Sequence, residues 1–162
     1  MSDTYFFSGH DNRNALRSEI SEWGGTKFLY DTAGHAQKRV SADCASFPLA
    51  VFQNLGLVDK DLMIPPYTSV RGGREEYFKL LGILDNLPGL ELIWERHGFF
   101  LNREILRLGD LIVCSSGSAI HHLLIYNTAD LAWHCWPKIG VTQTSILTKH
   151  IYATAKRVYR FK

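Results

Sequence analysis

The chain has 162 residues, of which 46% are hydrophobic and 21% charged. This balance is typical of one folded domain and excludes a disordered chain. Apolar runs such as Leu111–Cys114 are too short to span a bilayer, and Met1–Phe7 has an acid where an export signal has bases. We therefore expect cytoplasmic synthesis, no signal peptide and no membrane segment.

The formal net charge of +2 is unevenly distributed along the chain. The first 148 residues carry 13 bases and 16 acids, whereas the rest has five bases (Lys149, Lys156, Arg157, Arg160 and Lys162) and no acid. This pattern predicts an exposed edge strand guarded by bases, or else a contact with an anionic polymer or surface. No phosphate-binding loop, zinc-finger spacing or arginine-rich stretch accompanies it, so nucleic acid is not an expected partner.

Apolar residues at helical spacing predict helices over Asp11–Trp23, Cys44–Leu55 and Gly73–Leu87. After Leu87 the pattern changes to runs rich in β-forming residues, which are separated by turn residues. These predicted strands are Leu90–Glu95, Asp110–Cys114, His122–Asn127, Asp130–Trp136 and Ile151–Phe161. Helices followed by neighbouring strands predict an α+β domain with a mainly antiparallel sheet.

The chain has three cysteines, Cys44, Cys114 and Cys135, which is too few for a disulfide framework. Cys44 falls at a predicted helix N-terminus, where backbone amides and the helix dipole favour the thiolate and hence a nucleophile. Cys114 and Cys135 are interpreted as small core residues of strands. Asp43, just before Cys44, either caps the helix or binds a substrate amine.

A cysteine nucleophile needs a base and an orienting group, and two histidines have suitable spacing. His122 and His134 lie on two runs that form a predicted hairpin. If the turn is centred near residue 128, the imidazoles face each other and act as base and orienter. A zinc cluster with His121 and Cys135 is the rival hypothesis, but neighbouring strand residues point to opposite faces, so at most one of each pair serves one site.

Trp133 and Trp136 flank His134 in the same predicted strand. Their spacing places them on opposite faces of that strand, so at most one of them can line a cleft. We interpret core packing as the more favoured role of each indole.

Five short motifs in this order resemble the NlpC family of bacterial cell-wall cysteine peptidases. The family motifs are Gly-Thr-Pro-Tyr, Asp-Cys-Ser-Gly-Phe, Gly-Asp-Leu, His-Val-Gly-Ile-Tyr and Ile-His-Ala. Their counterparts in this chain are Gly25–Phe28, Asp43–Phe47, Gly109–Val113, His122–Tyr126 and Trp133–Cys135.

The resemblance implies a papain-like fold in which the nucleophile helix packs against an antiparallel sheet. It implies that Cys44, His122 and His134 are catalytic, selecting His122 over His121 as the base. It also implies hydrolysis of amide bonds in peptidoglycan stem peptides, with no metal and no cofactor. Phe28 stands where the family has a tyrosine that lines the site, and Tyr30 is the nearest hydroxyl that could replace it.

The chain departs from the family pattern at Ala45 and Ser46, which replace Ser-Gly. We expect a single domain over 1–162 with a helical insertion around 60–100 that shapes the substrate cleft.

A phage-encoded peptidase or an amidase delivered by a secretion system, with a phage structural or immunity partner, fits the absence of an export signal. The alternative is a catalytically silent peptide-binding or structural domain of a phage tail or secretion particle.

Overall fold

The computed structural model describes residues 4–29, 36–64, 74–98, 100–116 and 119–162. Its helices are α1 (His10–Ser21), α2 (Ser46–Asn54), α3 (Arg74–Asp85) and α4 (Lys149–Tyr152). Its strands are β1 (Lys27–Phe28), β2 (Ser41–Ala42), β3 (Leu90–Glu95), β4 (Leu111–Ser116), β5 (Ala119–Tyr126), β6 (Leu131–Trp136), β7 (Gly140–Ser145) and β8 (Ala155–Phe161). None of the described helices is long and apolar enough to cross a bilayer.

Six strands form one sheet in the order β3-β8-β4-β5-β6-β7, and each neighbouring pair is antiparallel. β1 and β2 pair in parallel and contact β6 and β7 at the edge of that sheet. The predicted α+β class with a mainly antiparallel sheet is therefore confirmed.

The helix that follows Cys44 is held between α1 and the sheet. The ring of Phe47 lies 5.5 Å from that of Trp23, just after α1, and the ring of Phe52 lies 4.8 Å from that of Phe161 in β8. All four side chains are buried. Large aromatic rings are thus buried on both sides of this short helix. Because hydrophobic stabilisation scales with buried apolar area, these contacts stabilise the position of α2 against α1 and the sheet.

One strand of the structure was not predicted, and one predicted strand begins later than expected. The segment Gly140–Ser145 forms β7, which the sequence did not reveal because its Thr-Gln-Thr-Ser run lacks apolar alternation. The predicted strand Ile151–Phe161 begins only at Ala155, since the residues before it form the short helix α4.

The basic final strand is not at an edge, so that prediction is wrong. β8 lies inside the sheet between β3 and β4. Two of its three bases are paired with acids. Arg157 contacts Asp85 and Glu95, and Arg160 forms a two-pronged contact with Asp110. The cations that looked like a guard against aggregation instead neutralise carboxylates of neighbouring elements.

The Gly109-Asp110 step explains one of the sequence motifs. Asp110 is fully buried, and both of its oxygens accept hydrogen bonds of 2.7 Å from Arg160. Gly109 has φ +87°, and a Cβ at this position would lie 2.2 Å from the ring of Phe7. Only glycine therefore allows the chain to pass the Phe7 ring and deliver Asp110 to its partner.

The predicted insertion around 60–100 supplies α3 and β3. β3 pairs with β8, and α3 packs against β3 and β5. Asp85 of α3 accepts hydrogen bonds from Arg157 and from the Tyr159 hydroxyl, so this region is tied to the sheet. That it is an insertion, and that 1–162 form one domain, stay predictions.

We expect Gly109→Ala to destabilise the protein more than a second glycine replacement, Gly89→Ala. Gly89 also has a positive φ, +75°, but nothing lies within 4 Å of the position that an added methyl group would take. The backbone cost of about 1 to 2 kcal/mol is common to both variants, whereas the Phe7 clash adds about 1 to 3 kcal/mol only in Gly109→Ala. Urea unfolding of both variants measures the difference, and equal losses would contradict this account of the motif.

Candidate active site

A reciprocal hydrogen-bonded cap fixes the start of the helix that carries Cys44. The Asp43 carboxylate accepts from the backbone amides of Ala45 (3.0 Å) and Ser46 (2.7 Å). The Ser46 hydroxyl accepts from the Asp43 amide at 2.9 Å. This is the arrangement of a capping box, with serine in the position that Glu or Gln usually fills.

Cys44 occupies the first turn of this helix. The Phe47 amide donates to the Asp43 carbonyl, so helical hydrogen bonding begins at Asp43, although the regular helix starts at Ser46. Pro48 explains the difference, because it has no N–H to donate to the carbonyl four residues earlier. Cys44 is 7% exposed, so its thiol is sheltered by the surrounding structure.

The loop before Cys44 is anchored to β7 through Thr26. The Thr26 carbonyl accepts from the Val141 amide at 3.0 Å, and its hydroxyl accepts from the Arg39 amide at 2.7 Å. Gly140 permits this approach, since a Cβ there would lie 2.1 Å from the Thr26 oxygen. The Gly-Thr motif therefore acts as a structural clamp that holds the segment before Cys44 against the sheet.

A second contact places the cysteine segment beside β6. The Cys135 thiol donates to the carbonyl of Ala42, two residues before Cys44, with an S–O distance of 3.4 Å. Burial raises the pKa of Cys135 to about 12, and the nearby charges of Cys44 and Asp43 act in the same direction. Cys135 immediately follows His134, so Cys44 lies close to the strand that carries the candidate orienting group.

The two histidines are in direct contact. Nε2 of His122 lies 2.8 Å from Nδ1 of His134. The hairpin register pairs Ile125 with Trp133 and Tyr126 with Ala132. The turn of this hairpin is therefore centred on residue 129, one residue later than the sequence predicted. As a result His134 lies two residues away from the position directly opposite His122, and the two imidazoles are diagonal neighbours. Positions two residues apart on a strand point to the same side, so both rings still lie on one face of the sheet.

His134 is the more deeply placed of the two rings. It is 4% exposed, and burial lowers its pKa to about 4. His134 is therefore neutral at pH 7 and carries one ring proton. A neutral His134 can accept at Nδ1 from an Nε2–H of His122, which leaves the Nδ1 lone pair of His122 to act as a base.

Trp136 is a site residue that sequence reasoning missed, because core packing was the favoured interpretation of both tryptophans. Its ring lies 5.0 Å from His122 and 5.4 Å from His134, and it is 37% exposed. Trp133, on the other face, packs against the core. The alternation of the strand could have assigned Trp136 to the face of His134, but its contact with both rings depends on the diagonal register.

The remaining predicted residues have different positions. Phe28 is half-buried against the core in β1, the strand that contacts β6 and β7. The Cys114 thiol points to the Ile151 carbonyl, and burial raises its pKa to about 12. Tyr30 and the side chain of His121 lie outside the described residues. His134 and Cys135 point to opposite faces, as strand geometry predicts, so they cannot share one metal.

We expect the buried imidazole of His134 to make stability depend on pH between about 4 and 6.5. In this range an unfolded chain binds a proton at His134 that the folded protein does not, so stability falls as pH falls. The loss reaches about 2 to 3 kcal/mol near pH 4.5. Chemical denaturation of wild type and His134→Gln at pH 7.5 and 4.5 measures it, with exposed His97→Gln as control. An equal pH dependence in wild type and His134→Gln would contradict the assignment.

Solved structures show which known fold this arrangement matches. Neither a protein-family model nor a curated protein matches the chain. A lipoprotein-like NLP/P60 family protein from Staphylococcus aureus matches over 99% of this chain and 45% of its own length (14% identity, TM-score 0.60). An NlpC/P60 family protein from Bacillus cereus matches over 92% of this chain and 40% of its own length (15% identity, TM-score 0.58).

The chain thus spans less than half the length of these two proteins. It spans nearly all of a third structure, the NlpC/p60 domain of the peptidoglycan hydrolase SagA, matching over 90% of this chain and 96% of that domain (15% identity, TM-score 0.51). At these identities the likeness establishes the fold. The protein therefore has the papain-like fold of the NlpC/P60 proteins, as its sequence motifs predict.

Proposed function

We propose that the protein is a cysteine peptidase or amidase that hydrolyses amide bonds in peptidoglycan stem peptides. The observation that carries this proposal is the 2.8 Å contact between His122 and a buried, neutral His134 on strands against which the cysteine helix packs. A paired base and orienter beside a cysteine at a helix start form the arrangement that nucleophilic acyl transfer requires.

In the proposed reaction, the Cys44 thiol proton passes to Nδ1 of His122, whose Nε2–H donates to Nδ1 of His134. The thiolate attacks the amide carbonyl carbon, and the backbone amide of Cys44 with one further donor from the preceding loop stabilises the oxyanion. The C–N bond then breaks as His122 returns the proton to the leaving amine. Water, activated by His122, attacks the thioester and releases the acid.

The low pKa of His134 supports this assignment of roles. Two imidazolium rings 2.8 Å apart would repel each other, so only one of the pair carries the catalytic proton at a time. Burial keeps the His134 ring neutral, and the positive charge therefore stays on His122, the proposed acceptor of the thiol proton.

Peptidoglycan is proposed as the substrate from the motifs and from the likeness to SagA, a peptidoglycan hydrolase. Asp43 already caps α2 through two hydrogen bonds and is 2% exposed, so its capping role is established and an amine contact is additional. Phe28 is proposed as a wall of the cleft, with Tyr30 as its hydroxyl-bearing neighbour. Phage origin, secretion-system delivery and an immunity partner stay predictions.

We expect Cys44→Ala to abolish release of soluble fragments from purified peptidoglycan, while Cys114→Ser retains it. Mass analysis of the fragments identifies the bond that is cleaved. Iodoacetamide at pH 7 should label Cys44 alone, because the pKa values of Cys114 and Cys135 are raised to about 12. A wild type that neither cleaves any muropeptide nor becomes labelled at Cys44 would instead support the catalytically silent binding domain.

We expect His122→Ala to lower kcat/KM by about a thousandfold or more, since it removes the proton acceptor. His97→Ala is the matched control, because His97 is exposed and its nearest charged partner is Glu95. The same peptidoglycan digest, followed over time, gives both rates. Full activity in His122→Ala would remove this residue from the mechanism and transfer the role of base to His121.

A further inference from the structure

A cavity of about 380 Å³ opens beside His134 on the face of the sheet that carries the histidine pair. This volume falls in the range of small-ligand sites. Trp136 and Ile139 supply its apolar wall. The polar residues that line it, besides His134, are Thr142, Gln143, Thr144, Thr148 and His150.

His134 presents an open hydrogen-bonding position to this cavity. Its Nδ1 is occupied by His122, and its ring lines the cavity. Among the residues that the structure describes, none is recorded as a hydrogen-bond partner of Nε2 of His134. This nitrogen is not among the fully buried polar atoms without a partner, so it is accessible from the cavity and can bind a polar group of a ligand there.

The proposed catalytic tautomer defines what this atom needs. If Nδ1 of neutral His134 accepts from His122, the proton of His134 resides on Nε2, which becomes a donor. The group that satisfies it must therefore be a hydrogen-bond acceptor. The ionisable residues among the described lining residues are His134 and His150, and none is Asp, Glu, Lys or Arg. No permanent charge of the cavity therefore pairs with a charged ligand, which favours a neutral acceptor.

We propose that this cavity is a substrate subsite for a neutral carbonyl-bearing group, whose oxygen accepts a hydrogen bond from Nε2 of His134. The inference rests on the proposed function and adds the chemical class that the subsite recognises. Peptidoglycan offers two such groups, a peptide amide of the stem and the N-acetyl group of the attached sugar. Thr142 lies directly opposite His134 in the β6–β7 register and lines the cavity, so its hydroxyl is the group that we expect to help hold the ligand.

Occupation of the subsite would also assist the reaction. An acceptor at Nε2 holds the proton of His134 on that nitrogen and keeps Nδ1 free to accept from His122. The subsite therefore couples substrate binding to the tautomer in which His122 is a base. Trp136 contributes a wall shared by the cavity and the histidine pair.

The experiment uses the full chain carrying Cys44→Ala, which binds substrate without cleaving it. A stem tetrapeptide and the same peptide linked to N-acetylmuramic acid are titrated in turn. The measurement is the Nε2–H resonance of His134 in imidazole-selective ¹H–¹⁵N NMR spectra. We expect it to shift with bound ligand and to saturate. A shift with both ligands assigns the carbonyl to the peptide, whereas a shift with the muramoyl peptide alone assigns it to the acetyl group.

Thr142→Val tests the subsite without altering the proposed triad, and Thr128→Val, in the exposed turn of the same hairpin, is the matched control. We expect Thr142→Val to weaken ligand binding about fivefold and to raise KM more than it lowers kcat, because a hydrogen bond to the substrate is lost. Thr128→Val should change neither constant.

The two hypotheses fail in different ways. An unmoved His134 resonance at saturating ligand, or equal affinities for Thr142→Val and Thr128→Val, would overturn the subsite even if the wild type cleaves peptidoglycan. A saturable shift in Cys44→Ala with no cleavage by the wild type would support the subsite and overturn the proposed hydrolase function.

Discussion

The reciprocal cap between Asp43 and Ser46 determines where the cysteine helix begins, and the position of Cys44 follows from it. One carboxylate and one hydroxyl satisfy three backbone amides that the start of a buried helix would otherwise leave without acceptors. The cap explains one departure from the family motif, the serine at position 46 where the family has glycine. A glycine in place of Ser46 has no hydroxyl to offer the Asp43 amide, so this chain gains local rigidity where the family pattern has backbone freedom.

The same constraint links the cap to the histidine pair. α2 packs against β5 and β6 of the sheet. The segment that precedes α2 is anchored by two hydrogen bonds, one between Ala42 and Cys135 and one between Thr26 and Val141. Both hydrogen bonds end on β6 or β7, the hairpin that also carries His134. The segment that carries Cys44 and the strand that carries His134 therefore share one rigid support. Such a support gives residues on a loop the positional precision of residues on a strand.

Sequence reasoning reached this site where local pattern and chemistry agreed. The twelve-residue spacing predicted contact between His122 and His134, and the hydrogen bond confirms the contact; their catalytic roles stay a prediction. The turn centre was wrong because two consecutive left-handed residues, Ala129 and Asp130, extend the turn by one position. The location of β8 was also wrong. The local sequence shows that the final segment is basic. It does not show that acids from distant segments, such as Asp85 and Asp110, pair with these bases in the folded protein.

The interior position of β8, between β3 and β4, has a consequence for how the protein folds. Its side chains join partners that lie 50 residues away in the pair Arg160–Asp110 and 72 residues away in the pair Arg157–Asp85. The sheet cannot be continuous from β3 to β4 before the latest of its strands in chain order has arrived. High sequence separation of this kind slows folding, because loop-closure entropy is lost before the long-range contacts form. The edges of β3 and β4 that face β8 therefore stay unpaired until β8 has formed, and completion of the sheet is a late, cooperative event.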